Sequence, residues 1–144
     1  MTIWSQLEPL LGKVQKPARY IGCEDGAQVP EHRPSAAAWL LAYPDTYEIG
    51  LPNQGLQILY EIINEHPQGV AERTYAPWID MEAELRARAE PLRSLETFHA
   101  LHEFDVVGFS LQFELTFTNI LQMLELGGIA LRSKDRPEDA PLVI

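Results

Sequence analysis

Two short stretches carry side chains whose types and spacing could do chemistry. In Asp45-Thr46-Tyr47-Glu48-Ile49-Gly50 a carboxylate, a hydroxyl and a phenol precede a glycine; in Ser110-Leu111-Gln112-Phe113-Glu114 a hydroxyl and an amide stand two residues apart. Such groups either hydrogen-bond a ligand or satisfy the end of a strand. Glu48 and Glu114 would form an acid/base pair only if their loops faced each other, and loop carboxylates are more often solvated or used as backbone caps. His99 and His102, three residues apart, would need a helix and a third ligand to hold a metal; the sequence offers no evident third ligand, so they read as loop histidines. The lone Cys23 reads as a small apolar filler. Gly50 to Gly55 lacks the Lys-Ser/Thr pair of a phosphate loop, and Trp4, Trp39 and Trp78 read as core or interface anchors.

The elements that must position these groups follow from hydrophobic period. Residues 3 to 12 predict a short helix, with Ile3, Leu7, Leu10 and Leu11 on one face and Gly12 as its stop. Residues 13 to 35, rich in Gly, Pro and charge, predict an extended lead-in. The run from Ala36 to Tyr43 is apolar on both faces, as a central strand of a parallel sheet requires. A helix from Asn53 to Glu65 places Leu56, Leu59, Tyr60, Ile62 and Ile63 at helical spacing, with Asn53 as N-cap. Val70 to Tyr75 predicts a second strand, Asp80 the cap of a helix ending near Ala89, and Leu92 to Thr97 a short edge strand. Phe104 to Leu111 is the clearest strand. A helix from Leu115 to Leu126 then stops at Gly127-Gly128 as a left-handed C-cap, and Pro141 to Ile144 opens a further strand. Strands alternating with amphipathic helices predict an α/β, Rossmann-like (flavodoxin-like) parallel sheet with helices on both faces. Three strands and the start of a fourth read as a sheet cut short at its C-terminal end.

Composition narrows the function. The 144 residues, 46% hydrophobic, suffice for one core. A net charge of −10 disfavours nucleic acid and anionic membrane surfaces as partners. No apolar run approaches the roughly 18 residues of a membrane span, and no secretory signal is visible, so a cytoplasmic location is expected. One cysteine excludes an internal disulfide and cannot alone hold an iron–sulfur cluster.

The Asp45-x-Tyr47-x-x-Gly50 spacing after the first strand resembles the D-x-H-x-x-G loop of cobalamin-binding domains. In that family the histidine ligates cobalt from below, the aspartate orients it, and the glycine lets the loop turn. Tyr47 stands where the histidine would be, and a neutral phenol with a pKa near 10 is a poor cobalt ligand. Four blocks, one of them containing this loop, occur in order: Lys16 to Gly22 (KPARYIG), Tyr43 to Gly50 (YPDTYEIG), Ala76 to Glu82 (APWIDME) and Asp105 to Gln112 (DVVGFSLQ). Together, over about residues 16 to 144, they resemble the N-terminal portion of a family of bacterial radical-SAM proteins. There a B12-binding-type domain precedes a barrel that binds a [4Fe–4S] cluster and S-adenosylmethionine. The chain departs from the B12 pattern where Gln112 replaces the leucine of a Ser-x-Leu motif. It also lacks the later Gly-Gly motif, for which Gly127-Gly128 is no substitute, and the barrel's three-cysteine motif.

The resemblance implies a lead-in over residues 1–35 and an incomplete B12-binding-type domain over 36–144. It implies Asp45, Thr46, Tyr47, Gly50, Ser110 and Gln112 as cofactor-binding residues, with cobalamin as cofactor and no histidine lower ligand from this chain. The chain alone would do no radical chemistry; the barrel of the parent enzyme would be its partner and would hold the cluster and S-adenosylmethionine. Two alternatives stand beside this: a structural or protein-interaction domain that has lost corrin binding, and a flavodoxin-like site for flavin or nucleotide. An unpaired edge at the last strand would also permit a homodimer.

Overall fold

The structure is a computed structural model and is described over residues 4–144; Ile3 of the first expected helix lies outside the described residues. The elements are α1 (Trp4–Leu11), β1 (Ala37–Tyr43), α2 (Tyr47–Gly50, a single turn), α3 (Gln54–Glu65), β2 (Gly69–Tyr75), α4 (Ile79–Arg88), β3 (Val106–Phe109), α5 (Phe117–Leu126) and β4 (Leu142–Val143). The four strands form one sheet in the order β2-β1-β3-β4, with every pairing parallel. The sequence-based expectation of a Rossmann-like α/β sheet is therefore met.

Strand alternation divides the core between two faces. Leu40 and Ala42 of β1, Val70 of β2 and Val107 of β3 pack with Leu7 and Leu10 of α1, Met81 and Leu85 of α4, and Met123 and Leu124 of α5. On the opposite face Leu41 and Tyr43 of β1 and Ala71 and Tyr75 of β2 pack against Leu56 and Tyr60 of α3. Asn53 caps α3 as expected, its side chain accepting the Leu56 N–H at 2.9 Å. The helix buries a narrower stripe than its sequence suggests: Leu59 and Ile62 are exposed, because α3 covers only the β1–β2 half of its face.

Two other expectations are corrected. Leu92 to Thr97 forms no strand. It touches the edge of β2 through one backbone bond, Leu95 N–H to Arg73 C=O, then folds back on itself through an Arg93–Ala100 bridge and a left-handed Phe98 (φ 61°). Asp80 is not the cap of α4 but lies inside its first turn, where its carboxylate accepts the Met81 and Gln15 N–H groups. The expected left-handed stop after α5 is present at Gly128 (φ 73°).

An outermost strand presents unpaired donors and acceptors that must be satisfied or covered. On β2 the Asn64 amide does this for Ala71, accepting its N–H at 2.8 Å and donating to its C=O at 3.1 Å. Two residues further on, the Glu96 carboxylate takes the Arg73 N–H at 2.8 Å. Replacing Asn64 by Leu would leave both Ala71 groups unpaired in a buried setting, at a cost of about 1–3 kcal/mol. Urea denaturation of Asn64→Leu is expected to show that loss; unchanged stability would mean that water satisfies the edge.

Candidate binding rim at the carboxyl edge of the sheet

In this strand order the chain leaves β1 and β3 in opposite directions, and the crevice between their carboxyl ends is where ligands of such sheets bind. The loop after β1 is built on backbone bonds: the Asp45 carboxylate accepts the Thr46 N–H at 2.7 Å, and the Asp45 carbonyl accepts the Ala76 N–H at 2.9 Å. The Thr46 carbonyl then accepts the Ile49 and Gly50 N–H groups and closes the α2 turn. Beside it, Ser110 N–H donates to Ala42 C=O at 3.0 Å, and the Gln112 amide donates to the Ser110 hydroxyl at 3.0 Å. Asn119 of α5 ties the two loops together by donating to the Pro44 carbonyl at 2.9 Å. Asp45, Thr46, Ser110 and Gln112 thus share one rim. Asn119 was not singled out from sequence; its signal is an amide in the first turn of the helix that follows β3.

Tyr47 and Gly50 face inward. The Tyr47 ring meets Tyr75 edge-on, with centroids 5.4 Å apart. A Cβ on Gly50 would stand 2.4 Å from the Tyr75 ring, so only glycine lets α2 lie this close. Burial, reinforced by the neighbouring Glu24 carboxylate, raises the Tyr47 pKa well above the usual phenol value. The Tyr47 phenol is half-buried against Tyr75.

Behind Tyr47 lies a buried charge cluster. Arg73 donates through Nε to Glu96 at 2.7 Å and through Nη2 to Glu24 at 3.2 Å, and its guanidinium lies 4.5 Å from the Tyr60 ring centroid. Burial opposes the charge of Arg73, but Glu96 first among its neighbours holds its pKa above the ordinary value. Glu96 is pushed up to about 7 by burial, against the pull of Arg73. Among the described residues, the Glu24 Oε1 and the Tyr75 hydroxyl are buried without a hydrogen-bond partner.

Other sequence candidates separate. Glu48 does not form an acid/base pair with Glu114; it takes Arg19 at 2.9 Å and Lys16 at 3.0 Å, which overcome the upward push of burial and hold its carboxyl at about 2. His99 hydrogen-bonds Thr97, whereas His102 turns to the Gly127 carbonyl. Cys23 is exposed rather than a core filler. Its neighbour Gly22 (φ 57°) lies so close to the Leu95 carbonyl that a Cβ would meet it at 2.1 Å.

Beside these polar groups the rim carries an exposed apolar run. Leu111, Phe113, Leu115 and Phe117 are exposed in succession, Phe113 at 66% and Leu115 at 92%, with Ile49, Trp78 and Ile79 exposed as well. Between α1, α4 and the Leu92–Phe98 turn lies a partly open, mainly apolar cleft lined by Leu7, Leu10, Met81, Leu85 and Phe98. Among the described residues no helix is long and apolar enough to cross a membrane.

Residues 55–144, more than half of the chain, match the family model described as radical SAM proteins, N-terminal. No curated protein and no solved structure matches.

The Arg73 cluster makes stability depend on pH. The Glu96 carboxyl titrates near 7 in the folded protein against about 4.5 in the unfolded chain. The stabilisation tied to its protonated form is complete below about pH 4.5 and lost as pH rises through about 7. Relative to Glu96→Gln, the wild type should lose on the order of 2 kcal/mol between pH 5 and pH 8 in urea denaturation. A difference independent of pH would contradict this.

Proposed function

This chain belongs to the family of N-terminal domains of radical SAM proteins, and on that premise we propose that it docks the carboxyl rim of its sheet onto the radical-SAM catalytic region. The observation that carries this reading is the run of exposed Leu111, Phe113, Leu115 and Phe117 beside the β1 loop. Four large apolar side chains in seven residues, at the sheet edge where such folds meet their ligands, mark a surface built to be covered. Covering a fully exposed side chain of this kind contributes about 1.5–3 kcal/mol, and the partly exposed ones proportionately less. In this reading the [4Fe–4S] cluster and S-adenosylmethionine belong to the catalytic region, since the chain has one cysteine.

A second reading, cobalamin held between the two partners, is favoured by a separate observation. Asp45, Thr46, Ser110 and Gln112 place polar groups on that same rim. They would meet the periphery of the corrin, and no protein ligand for cobalt would come from Tyr47.

Association of the chain with the separately produced catalytic region tests the first reading, and hydroxocobalamin tests the second. Phe113→Ser with Leu115→Ser is expected to weaken association at least about tenfold with little change in melting temperature, since both side chains are exposed. Undiminished association would overturn the docking surface. Base-off cobalamin bound by the complex, and lost on Gln112→Ala, would favour the corrin reading; an unchanged hydroxocobalamin spectrum would leave docking alone.

A further inference from the structure

We propose that His32, Glu72 and His99 form a binding site for one divalent transition-metal ion of the zinc class, on the sheet face opposite Arg73 and α3. The three residues come from different segments: His32 from the lead-in, Glu72 from the middle of β2, and His99 from the turn after α4. One ligand atom from each lies within 4.8 Å of the other two. A tetrahedral ion with bonds of 2.0–2.2 Å needs its donors roughly 3.3 Å apart, so modest side-chain rotation, opening the His32–Glu72 contact and drawing the donors to equal spacing, accommodates it. Two imidazoles and one carboxylate leave an open coordination position, and they are the donors that zinc and its neighbours accept.

The surroundings favour an ion there. Glu72 is wholly buried, and its carboxylate hydrogen-bonds His32, Nε2 to Oε1 at 2.5 Å. The His32 and His99 rings stack with centroids 4.6 Å apart, and Phe104 stands edge-on to both. A divalent ion bound to the two rings would neutralise the buried Glu72 carboxylate. The frame is already fixed. The His99 N–H donates to the Ser94 hydroxyl, and the Ser94 N–H donates back to the His99 carbonyl. Thr97 supplies outer support, donating to both Glu72 oxygens through its hydroxyl and its N–H. The preceding Phe98, a bulky residue at φ 61°, shows strain accepted where His99 is presented. On binding, His32 would carry its proton on Nδ1 and offer Nε2. The ion would then pin the lead-in to β2. Sequence spacing alone hides the site, because His32 and Glu72 are 40 residues apart.

Co²⁺ titrated into the chain, as a spectroscopic stand-in for Zn²⁺, is expected to give visible d–d bands that saturate at one equivalent, and Zn²⁺ is expected to raise the melting temperature. His32→Ala and His99→Ala should each weaken Co²⁺ binding at least about tenfold, and Thr97→Val about tenfold; His66→Ala should leave it unchanged. The wild-type spectrum decides the matter even if a variant fails to fold. Absence of d–d bands at millimolar Co²⁺, or an equal loss in His66→Ala, would overturn the site and leave the cluster as a hydrogen-bonded network only.

Discussion

An edge strand that buries two adjacent charges sets the terms for the rest of this molecule. Glu72 and Arg73 lie on opposite faces of β2, at 0% and 5% exposure. Removing such charges from water costs several kcal/mol each unless partners surround them. The chain meets the demand twice over, from the same two segments. The lead-in brings Glu24 to Arg73 and His32 to Glu72; the turn after α4 brings Glu96 to Arg73 and Thr97 to Glu72. These segments have little regular structure of their own, and their course is dictated by the charges they serve.

That arrangement reaches the rim through aromatic packing. The Arg73 guanidinium lies against Tyr60, and Tyr75 stands next on the same face of β2, edge-on to Tyr47. With Tyr47 drawn inward and Gly50 pressed on Tyr75, the loop after β1 becomes a packed shoulder. What remains outward is the backbone-bonded Asp45–Thr46 step, the Ser110–Gln112 pair and the apolar run from Leu111 to Phe117. A surface of that kind suits contact with a large partner better than enclosure of a small molecule. In the proposed reading that partner is the radical-SAM catalytic region.

Much of the fold was legible because its signals are local. The apolar runs of β1 and β3, the Asn53 cap of α3 and the Gly128 stop of α5 each depend on residues within one element. The misread segments depend on distant contacts. Leu92 to Thr97 has the polar–apolar mixture of an edge strand, yet its shape is set by Glu96 answering Arg73 some 23 residues earlier. Asp80 has the chemistry of a cap, but one of its oxygens is claimed by Gln15, 65 residues away. The rim positions Asp45, Thr46, Ser110 and Gln112 could be placed from topology alone, because the ends of adjacent parallel strands fall together. The inward turn of Tyr47 could not, since nothing near it in sequence announces Tyr75 or Glu24 as its neighbours.

The most direct test is hydrogen exchange on this chain alone and bound to its catalytic region, read segment by segment. The account predicts that residues 69–75 are protected in both states, because the charges of β2 are already enclosed, while residues 111–117 gain protection only in the complex. Equal and rapid exchange at 111–117 in both states would contradict the proposal that this rim is the docking surface.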